Sequence, residues 1–308
     1  MFDHVSVRWY TQRDLLDAPE SVWAATRARV AEEGWGARLL ALRADDGTWG
    51  GGLYQPKWTS TFYTLRLLVQ LGIPSTHAAA RDSCRLLVDQ GVTASGAVSL
   101  WSSGTTDTCV TAMLVSMACN LGLEDVPGVS SMMGYLVDNQ MEDGGWNCRQ
   151  SSRHASFHTT LSTMEALFSF QKATHPDADL QCRWDRASRF FLNHQLYRSH
   201  RTGEIVRASF ALPHFPTHWF FDVLRGLAHF ADANAPWDDR LDCALQELTR
   251  RERRGRWHAS THTGPMHFRL EPSWAPSRMN TLRALRVMWW ARRAREGALA
   301  EGYNPLDP

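Results

Sequence analysis

The segment Asp46-Gly47-Thr48-Trp49-Gly50-Gly51 returns 97 residues later as Asp143-Gly144-Gly145-Trp146, and a weaker version, Gly255-Arg256-Trp257, follows. Between the first two copies, Leu86-Leu87-Val88-Asp89-Gln90 matches Tyr135-Leu136-Val137-Asp138-Asn139-Gln140 at a separation of 49 or 50 residues. Self-similarity at a fixed spacing indicates stacked structural repeats. The chain is therefore expected to consist of repeats of about 50 residues.

Within each repeat the apolar residues follow helical spacing, and two kinds of helix alternate. One kind is apolar on most of its circumference and must be buried, whereas the other carries charge on one face. We expect the first kind over 58–72, 107–122, 157–171, 216–232 and 278–291, and the second over 77–90, 128–140, 184–196 and 238–250. With a first pair near 21–43, the pattern predicts an all-α fold: a single α/α toroid of about six inner and six outer helices, joined by loops that contain Gly and Trp.

Composition limits the function classes. The 308 residues include 33 Lys and Arg against 32 Asp and Glu, so the chain lacks the basic field that nucleic acid or an anionic membrane would require. No stretch approaches the roughly 18 apolar residues of a membrane span, and the start does not resemble a signal peptide. We expect a cytoplasmic protein that acts on a small molecule. Residues 1–308 are expected to form one toroid domain, with the N-terminal segment and the C-terminal tail at its periphery.

Residues that can bind a metal lie at the predicted starts of two neighbouring inner helices. Cys109 and His158 are 49 residues apart, which is one repeat, so we expect them side by side at one mouth of the ring, with Asp107 beside them. Carboxylate, thiolate and imidazole are ligands of Zn²⁺, and three protein ligands with an open fourth position are typical of a catalytic site. The spacing predicts zinc at Asp107, Cys109 and His158, and Cys148 is a candidate to replace or supplement one of these ligands.

These features resemble a known superfamily. The repeats from about 35 to 290, with their terminal Gln and Asp-Gly-x-Trp loops, resemble the toroids of terpenoid cyclases and protein prenyltransferases. The pair Asp107 and Cys109, followed one repeat later by His158-Thr159, is similar to the zinc-binding Asp-x-Cys and His of protein prenyltransferase β subunits. The resemblance implies an α/α toroid and zinc held by these three side chains.

The resemblance leaves several reactions open. A squalene-hopene-like terpene cyclase would use a DxDD motif to protonate an alkene, but the matching segment 104–108 holds a single Asp. A prenyltransferase would hold an isoprenoid diphosphate with cations before the Asp-x-Cys, but 99–104 has none, so Arg66, Arg225 or Arg278 would have to supply one. A non-catalytic lipid- or partner-binding toroid with a structural zinc is the third alternative.

We expect a zinc-dependent transferase, cyclase or lyase in which the metal activates a thiolate, oxygen or water of a small, apolar or thiol-containing substrate. His218 and Asp222, four residues apart on a predicted inner helix, are candidates for proton transfer, with a structural hydrogen bond as the alternative. Aromatic and basic residues near the inner-helix starts are candidates to line a central cavity, with core packing as the alternative. These residues are Trp58, Phe62, Arg66, Trp101, Trp219 and Arg278.

Overall fold

The structure is a computed structural model that describes residues 4–101, 103–149, 151–260, 264–272 and 274–297. Over these residues the regular elements are helices, with isolated β-bridges in the loops. No helix in this part of the chain has the length and apolar character needed to cross a bilayer. The α-helices are α1 (Val5–Asp14), α2 (Glu20–Ala28), α3 (Gly34–Leu40), α4 (Thr61–Leu71), α5 (Ala78–Gly91), α6 (Thr108–Asn120), α7 (Pro127–Asp138), α8 (Phe157–Ala173), α9 (Ala178–Asn193), α10 (Val223–Asp232), α11 (Asp242–Arg250) and α12 (Arg278–Arg295).

Within the described residues, α1, α4, α6, α8, α10 and α12 form a closed inner ring. Direct packing joins α4 to α6, α6 to α8, α10 to α12 and α12 to α1. An ion pair between Arg225 and Glu165, with an Nη2–Oε2 distance of 2.6 Å, joins α10 to α8. The indole of Trp9 in α1 donates to the carbonyl of Leu71 in α4 at 3.0 Å, which closes the ring. The predicted all-α toroid is confirmed.

The outer layer consists of α2, α3, α5, α7, α9 and α11. Each of α5, α7, α9 and α11 packs against the inner helix that precedes it. The first pair, expected near 21–43, differs: α2 and α3 both lie outside, and α1 is the inner helix of that unit. The N-terminal segment, expected at the periphery, thus contributes a ring helix in which Trp9 is buried. The expected single-domain organisation stays a prediction, and residues 298–308 of the tail lie outside the described part.

Two inner helices begin later than the hydrophobic pattern predicts. The helix expected from 216 begins at Val223, because Asp222 caps it: Oδ1 accepts a hydrogen bond from the backbone N–H of Arg225 at 2.8 Å. The helix expected from 58 begins at Thr61. As a consequence, Trp58 and His218 lie in the loops that precede α4 and α10, and both have a positive φ.

Each Trp of the repeated motif is tied to the outer helix that precedes it. All three indole rings are buried. Carbonyl groups in the last turn of a helix lack a partner within the helix, so a buried indole N–H satisfies one of them and needs a partner itself. The indole-to-carbonyl hydrogen bonds are Trp49 to Leu39 at 2.7 Å, Trp146 to Leu136 at 2.7 Å and Trp257 to Leu248 at 2.8 Å.

The backbone N–H at the same position of the repeat is tied to the inner helix that follows. In four repeats it donates to the hydroxyl of a Thr in the first turn of that helix, and in the second repeat Val98 takes the place of Trp. We call this pairing of outer and inner helix the repeat latch. Its N–H to Oγ1 hydrogen bonds are Trp49 to Thr61 at 3.1 Å, Val98 to Thr111 at 2.8 Å, Trp146 to Thr160 at 3.0 Å and Trp257 to Thr281 at 3.1 Å.

The repeat latch predicts a measurable stability loss. Trp146→Phe leaves the Leu136 carbonyl without its indole partner, and Thr160→Val leaves a buried backbone N–H unpaired. Each change is expected to lower the free energy of unfolding by about 1–3 kcal/mol, measured by urea denaturation. The control is Trp274→Phe, at a side chain that is 82% exposed, where a change within about 0.5 kcal/mol is expected. Equal effects at Trp146 and Trp274 would contradict a role for the latch.

Candidate functional site

Three side chains of types that can bind a metal meet at one mouth of the ring. Asp107 is the residue before α6 and Cys109 is the second residue of that helix, while Cys148 lies in the loop two residues after the latch residue Trp146. One ligand atom from each side chain lies within 4.8 Å of the other two. All three residues are partly buried. We call Asp107, Cys109 and Cys148 the Asp–Cys–Cys cluster.

Hydrogen bonds hold each member of the cluster in place. The indole N–H of Trp101 donates to Oδ2 of Asp107 at 2.8 Å. The backbone N–H of Cys109 donates to Sγ of Cys148 at 3.2 Å, and the hydroxyl of Thr159 lies 3.4 Å from the same sulfur. Such outer contacts orient a ligand side chain.

The pKa values of the two thiols in the cluster are shifted in opposite directions. A hydrogen bond from the thiol of Cys109, together with those from Thr159 and the Cys109 backbone, lowers the pKa of Cys148 despite its burial. The same thiol–thiol hydrogen bond, followed by burial, raises the pKa of Cys109 well above its ordinary value. Thiolate is the form that binds metals and acts as a nucleophile. Cys148 is therefore the first of the pair to become available as a thiolate.

His158, predicted as the third zinc ligand, makes a different contact. Its Nδ1 accepts a hydrogen bond from the backbone N–H of Phe221 at 2.7 Å, and its ring packs edge-on against Trp219. A neutral imidazole that accepts at Nδ1 carries its proton on Nε2, so neither nitrogen has a lone pair for a metal in this arrangement. Among the described residues, Cys148 stands in the cluster where His158 was expected, and zinc binding by His158 stays a prediction.

The aromatic residues expected around a cavity form a continuous series of ring contacts. It begins at Trp101, which holds Asp107, and ends at Trp219, which contacts His158. Tyr54 and Tyr63, linked by a hydroxyl–hydroxyl hydrogen bond of 2.8 Å, belong to it, although the sequence did not single them out. We call this series the aromatic wall. Its centroid distances are Trp101–Tyr54 4.8 Å, Tyr54–Tyr63 5.2 Å, Tyr63–Trp58 4.8 Å, Trp58–Phe220 5.9 Å and Phe220–Trp219 4.0 Å.

Two other cavity candidates are not members of the aromatic wall. Phe62 is completely buried and packs against Tyr54 and Tyr63, as the core-packing alternative expects. Arg278 is exposed at the start of α12, where its backbone N–H donates to Oε1 of Glu271 at 2.7 Å. Their assignment to a substrate cavity stays a prediction.

His218 and Asp222, predicted as a proton-transfer pair, make different contacts in the structure. Asp222 is completely buried, and its Oδ2 accepts from the backbone N–H of His214 at 3.0 Å and lies 3.3 Å from Nδ1 of the same residue. His218 instead stacks on Trp58, with ring centroids 4.1 Å apart. The two residues precede α10 rather than sharing a helical face. Asp222 thus has a capping role here, and proton transfer by the pair stays a prediction.

Arg66, a candidate cation for a diphosphate, is engaged inside the ring. Its Nε donates to the carbonyl of His218 at 2.7 Å, and its Nη2 lies 3.5 Å from Oε2 of Glu165. Arg225 makes two shorter bonds to the same carboxylate, at 2.8 and 2.6 Å. Burial would raise the pKa of Glu165, but Arg225 and Arg66 outweigh it and lower that pKa to about 2. Burial and Arg225 lower the pKa of Arg66 to about 10.

The depressed pKa of Glu165 predicts a pH-dependent stability. Glu165→Gln leaves two buried guanidinium groups without their anion, so the free energy of unfolding at pH 7 should fall by about 3–5 kcal/mol. The carboxylate stabilises the fold above the ordinary pKa of a Glu, and this contribution is lost as the pH falls toward 2. The gap between wild type and variant should therefore shrink in acid, as measured by denaturant unfolding across pH. Glu142→Gln, at an exposed position, is the control, and a gap that does not change with pH would contradict the ion pair.

Comparison with known proteins adds information on the fold. No family model and no curated protein matches the chain. A crystal structure of a protein from Actinoplanes is similar, with 18% identity, coverage of 94% of this chain and 90% of that chain, and a TM-score of 0.50. Type II terpene cyclase MstE from Scytonema is matched in its apo form, with 16% identity, 96% and 89% coverage and a TM-score of 0.48. An MstE variant in complex with geranylgeranyl dihydroxybenzoate is matched with 15% identity, 94% and 87% coverage and a TM-score of 0.49. The similarity to the Actinoplanes protein concerns the fold alone, and likenesses at this level say nothing of the reaction.

Proposed function

We propose that the chain is a zinc-dependent enzyme that uses the Asp–Cys–Cys cluster to hold the metal beside an aromatic-lined substrate site. The observation that carries the proposal is the convergence of three ligand atoms, from two separate loops, to within 4.8 Å of one another. Asp107 and Cys109 are adjacent in sequence, but Cys148 comes from the next repeat. Such a meeting of different ligand types favours a metal site over separate packing roles for each residue.

The donor set suits zinc. Two thiolates and one carboxylate are ligands that zinc accepts together, and the backbone N–H that points at the sulfur of Cys148 compensates part of its negative charge. Trp101 occupies one carboxylate oxygen of Asp107 and leaves the other for the metal. Three protein ligands would leave a fourth position for a substrate atom.

Zinc bound at this place would hold a substrate thiolate or polarise a substrate oxygen or water. The chain's own residues provide the surroundings. The aromatic wall runs from the cluster toward His158 and offers flat apolar faces to a small apolar substrate, with π faces able to stabilise a positive charge. His158, with its proton on Nε2, is positioned by the backbone N–H of Phe221 as a hydrogen-bond donor.

The tested quantity is zinc content. Purified protein should carry close to one zinc per chain by elemental analysis, and Cys109→Ser and Cys148→Ser should both lose it, because each removes a thiolate ligand. His158→Gln should keep the metal. Cys182→Ser, at an exposed cysteine outside the cluster, is the matched control and should also keep it. Loss of zinc in His158→Gln with retention in Cys148→Ser would instead support the ligand set expected from sequence.

Cobalt substitution separates a catalytic site from a structural one. The thiolate-to-cobalt absorption of Co²⁺-loaded wild-type protein should have the intensity of two thiolate ligands, and it should disappear with the metal in Cys148→Ser. Butanethiol added to the Co²⁺-loaded wild type should change the cobalt spectrum if a coordination position is open. A spectrum that does not respond would indicate a closed, structural site and contradict the enzymatic proposal.

A further inference from the structure

The six cysteines of the chain differ in exposure and in neighbours. Cys84 and Cys119 are buried, whereas Cys182 is exposed on α9. Cys109 and Cys148 are partly buried, and their sulfur atoms lie within 4.8 Å of each other in the Asp–Cys–Cys cluster. These two thiols therefore combine a close partner with access for a small molecule.

Two hydrogen bonds bring the sulfur of Cys148 against Cys109. The backbone N–H of Cys109 donates to this sulfur at 3.2 Å, and the thiol of Cys109 donates to it as well. The sulfur of Cys148 therefore faces both the backbone and the side chain of Cys109. Neither sulfur has to leave the cluster to reach the other.

The movement that remains before the two sulfurs can bond is small. A disulfide needs a sulfur–sulfur distance of about 2.05 Å and Cβ atoms about 3.8 Å apart. Because the sulfurs start within 4.8 Å of each other, they must approach by less than about 3 Å, shared between two side chains. Rotation about the Cα–Cβ bond moves a cysteine sulfur over such a distance without moving the backbone.

The fold holds the two thiols as neighbours. Cys109 lies in the first turn of α6 and Cys148 in the loop before α8, and these two inner helices pack directly against each other. The latch between Trp146 and Thr160 fixes the chain two residues before Cys148 to the start of α8. A reactive cysteine with a second cysteine poised beside it is the arrangement found in redox-sensing sites.

We propose that Cys109 and Cys148 form a reversible redox modification site, at which hydrogen peroxide converts the two thiols into a disulfide and a dithiol restores them. A small hydroperoxide is the class of oxidant that fits, because both residues are partly buried. The neighbouring thiol captures the first oxidation product as a disulfide before it advances to an irreversible sulfinic acid.

The oxidation proceeds in two balanced steps. The sulfur of one cysteine attacks an oxygen of the peroxide, the O–O bond breaks, and a sulfenic acid forms with release of one water. The sulfur of the second cysteine attacks the sulfenic sulfur, the S–O bond breaks, and the S–S bond forms with release of a second water. The two sulfurs lose two electrons, which reduce the peroxide, and the two thiol protons end in the waters.

The disulfide and a bound metal exclude each other. A zinc ligand must be a thiolate, and the sulfurs of a disulfide carry no anionic charge. Oxidation therefore releases a metal held by the two sulfurs, and a bound metal protects them from oxidation. This consequence rests on the proposed function, whereas disulfide formation in the metal-free protein does not.

The test counts the free thiols of reduced, metal-free wild type before and after a small molar excess of hydrogen peroxide. After unfolding, N-ethylmaleimide labels each free thiol, and intact-protein mass spectrometry counts the labels. The six cysteines should give six labels before oxidation, two fewer after it, and six again after dithiothreitol. Six labels after oxidation, or sulfinic acids in place of the S–S bond, would overturn the proposal.

Peptide mapping identifies the bonded pair. Digestion with trypsin and a Glu-specific protease should yield the segments 86–124 and 143–149 joined by a disulfide. Fragment ions should assign the bond to Cys109 and Cys148, and a bond to Cys119 would contradict the proposal. Cys148→Ser should form no internal disulfide, whereas Cys182→Ser, the matched control, should still lose two labels. The same loss of two labels in Cys148→Ser would also overturn the assignment.

A zinc-loaded sample separates this proposal from the proposed function. Zinc release, followed with a colorimetric chelator, should match disulfide formation mole for mole, and zinc retained by the oxidised protein would contradict the exclusion. A protein that binds no zinc but forms the disulfide would refute the proposed function and support the modification site. A protein that binds zinc through both cysteines but forms no disulfide when metal-free would refute the modification site alone.

Discussion

The repeat latch is the interaction on which the architecture depends. At the same point of four repeats, a backbone N–H donates to a Thr hydroxyl in the first turn of an inner helix, and in three of them the indole of the same residue donates to the end of an outer helix. The latch therefore fixes the start of four inner helices, and its indole fixes the end of three of the outer helices that precede them. Because these starts face the same mouth of the ring, polar residues placed near them converge.

The Asp–Cys–Cys cluster is a direct consequence of this geometry. Asp107 and Cys109 stand at the start of α6, shortly after the Val98 position of the latch, and Cys148 follows the latch residue Trp146 by two positions. Neighbouring repeats bring the two loops together, and the N–H of Cys109 then meets the sulfur of Cys148. The packing of neighbouring repeats is therefore sufficient to bring the three candidate ligands together, and no additional structural element is needed.

A second constraint acts inside the ring. Glu165 on α8 receives Arg225 from α10 and Arg66 from α4, so one carboxylate joins three inner helices. Two cations against one anion would be costly if either arginine lacked further partners. The carbonyls of Phe220 and His218 provide them, and the same contacts hold the loop that carries part of the aromatic wall. Arg66 and Arg225 therefore both neutralise the buried charge of Glu165 and hold the loop that carries part of the aromatic wall.

The periodic parts of this structure were predictable from sequence, and the irregular parts were not. Repetition and apolar spacing indicated the toroid, because three of the four latches recur with a Trp and the inner helices recur with an apolar surface. The position of α1 in the ring was missed, since its sequence belongs to no repeat. His158 lies at the second position of its inner helix, as Cys109 does, which the repeat spacing predicted. Its orientation depends on a hydrogen bond from the backbone N–H of Phe221, which lies in a loop outside the repeating pattern.

If the latches join the repeats into one unit, their amides open only when the whole ring opens. Native-state hydrogen exchange, measured by NMR across low denaturant concentrations, tests it at the backbone N–H groups of Trp49, Val98, Trp146 and Trp257. All four should exchange with one opening free energy, equal to that of global unfolding. A latch amide that exchanges through a separate opening of clearly lower free energy would show that the repeats open one at a time, and would contradict this account.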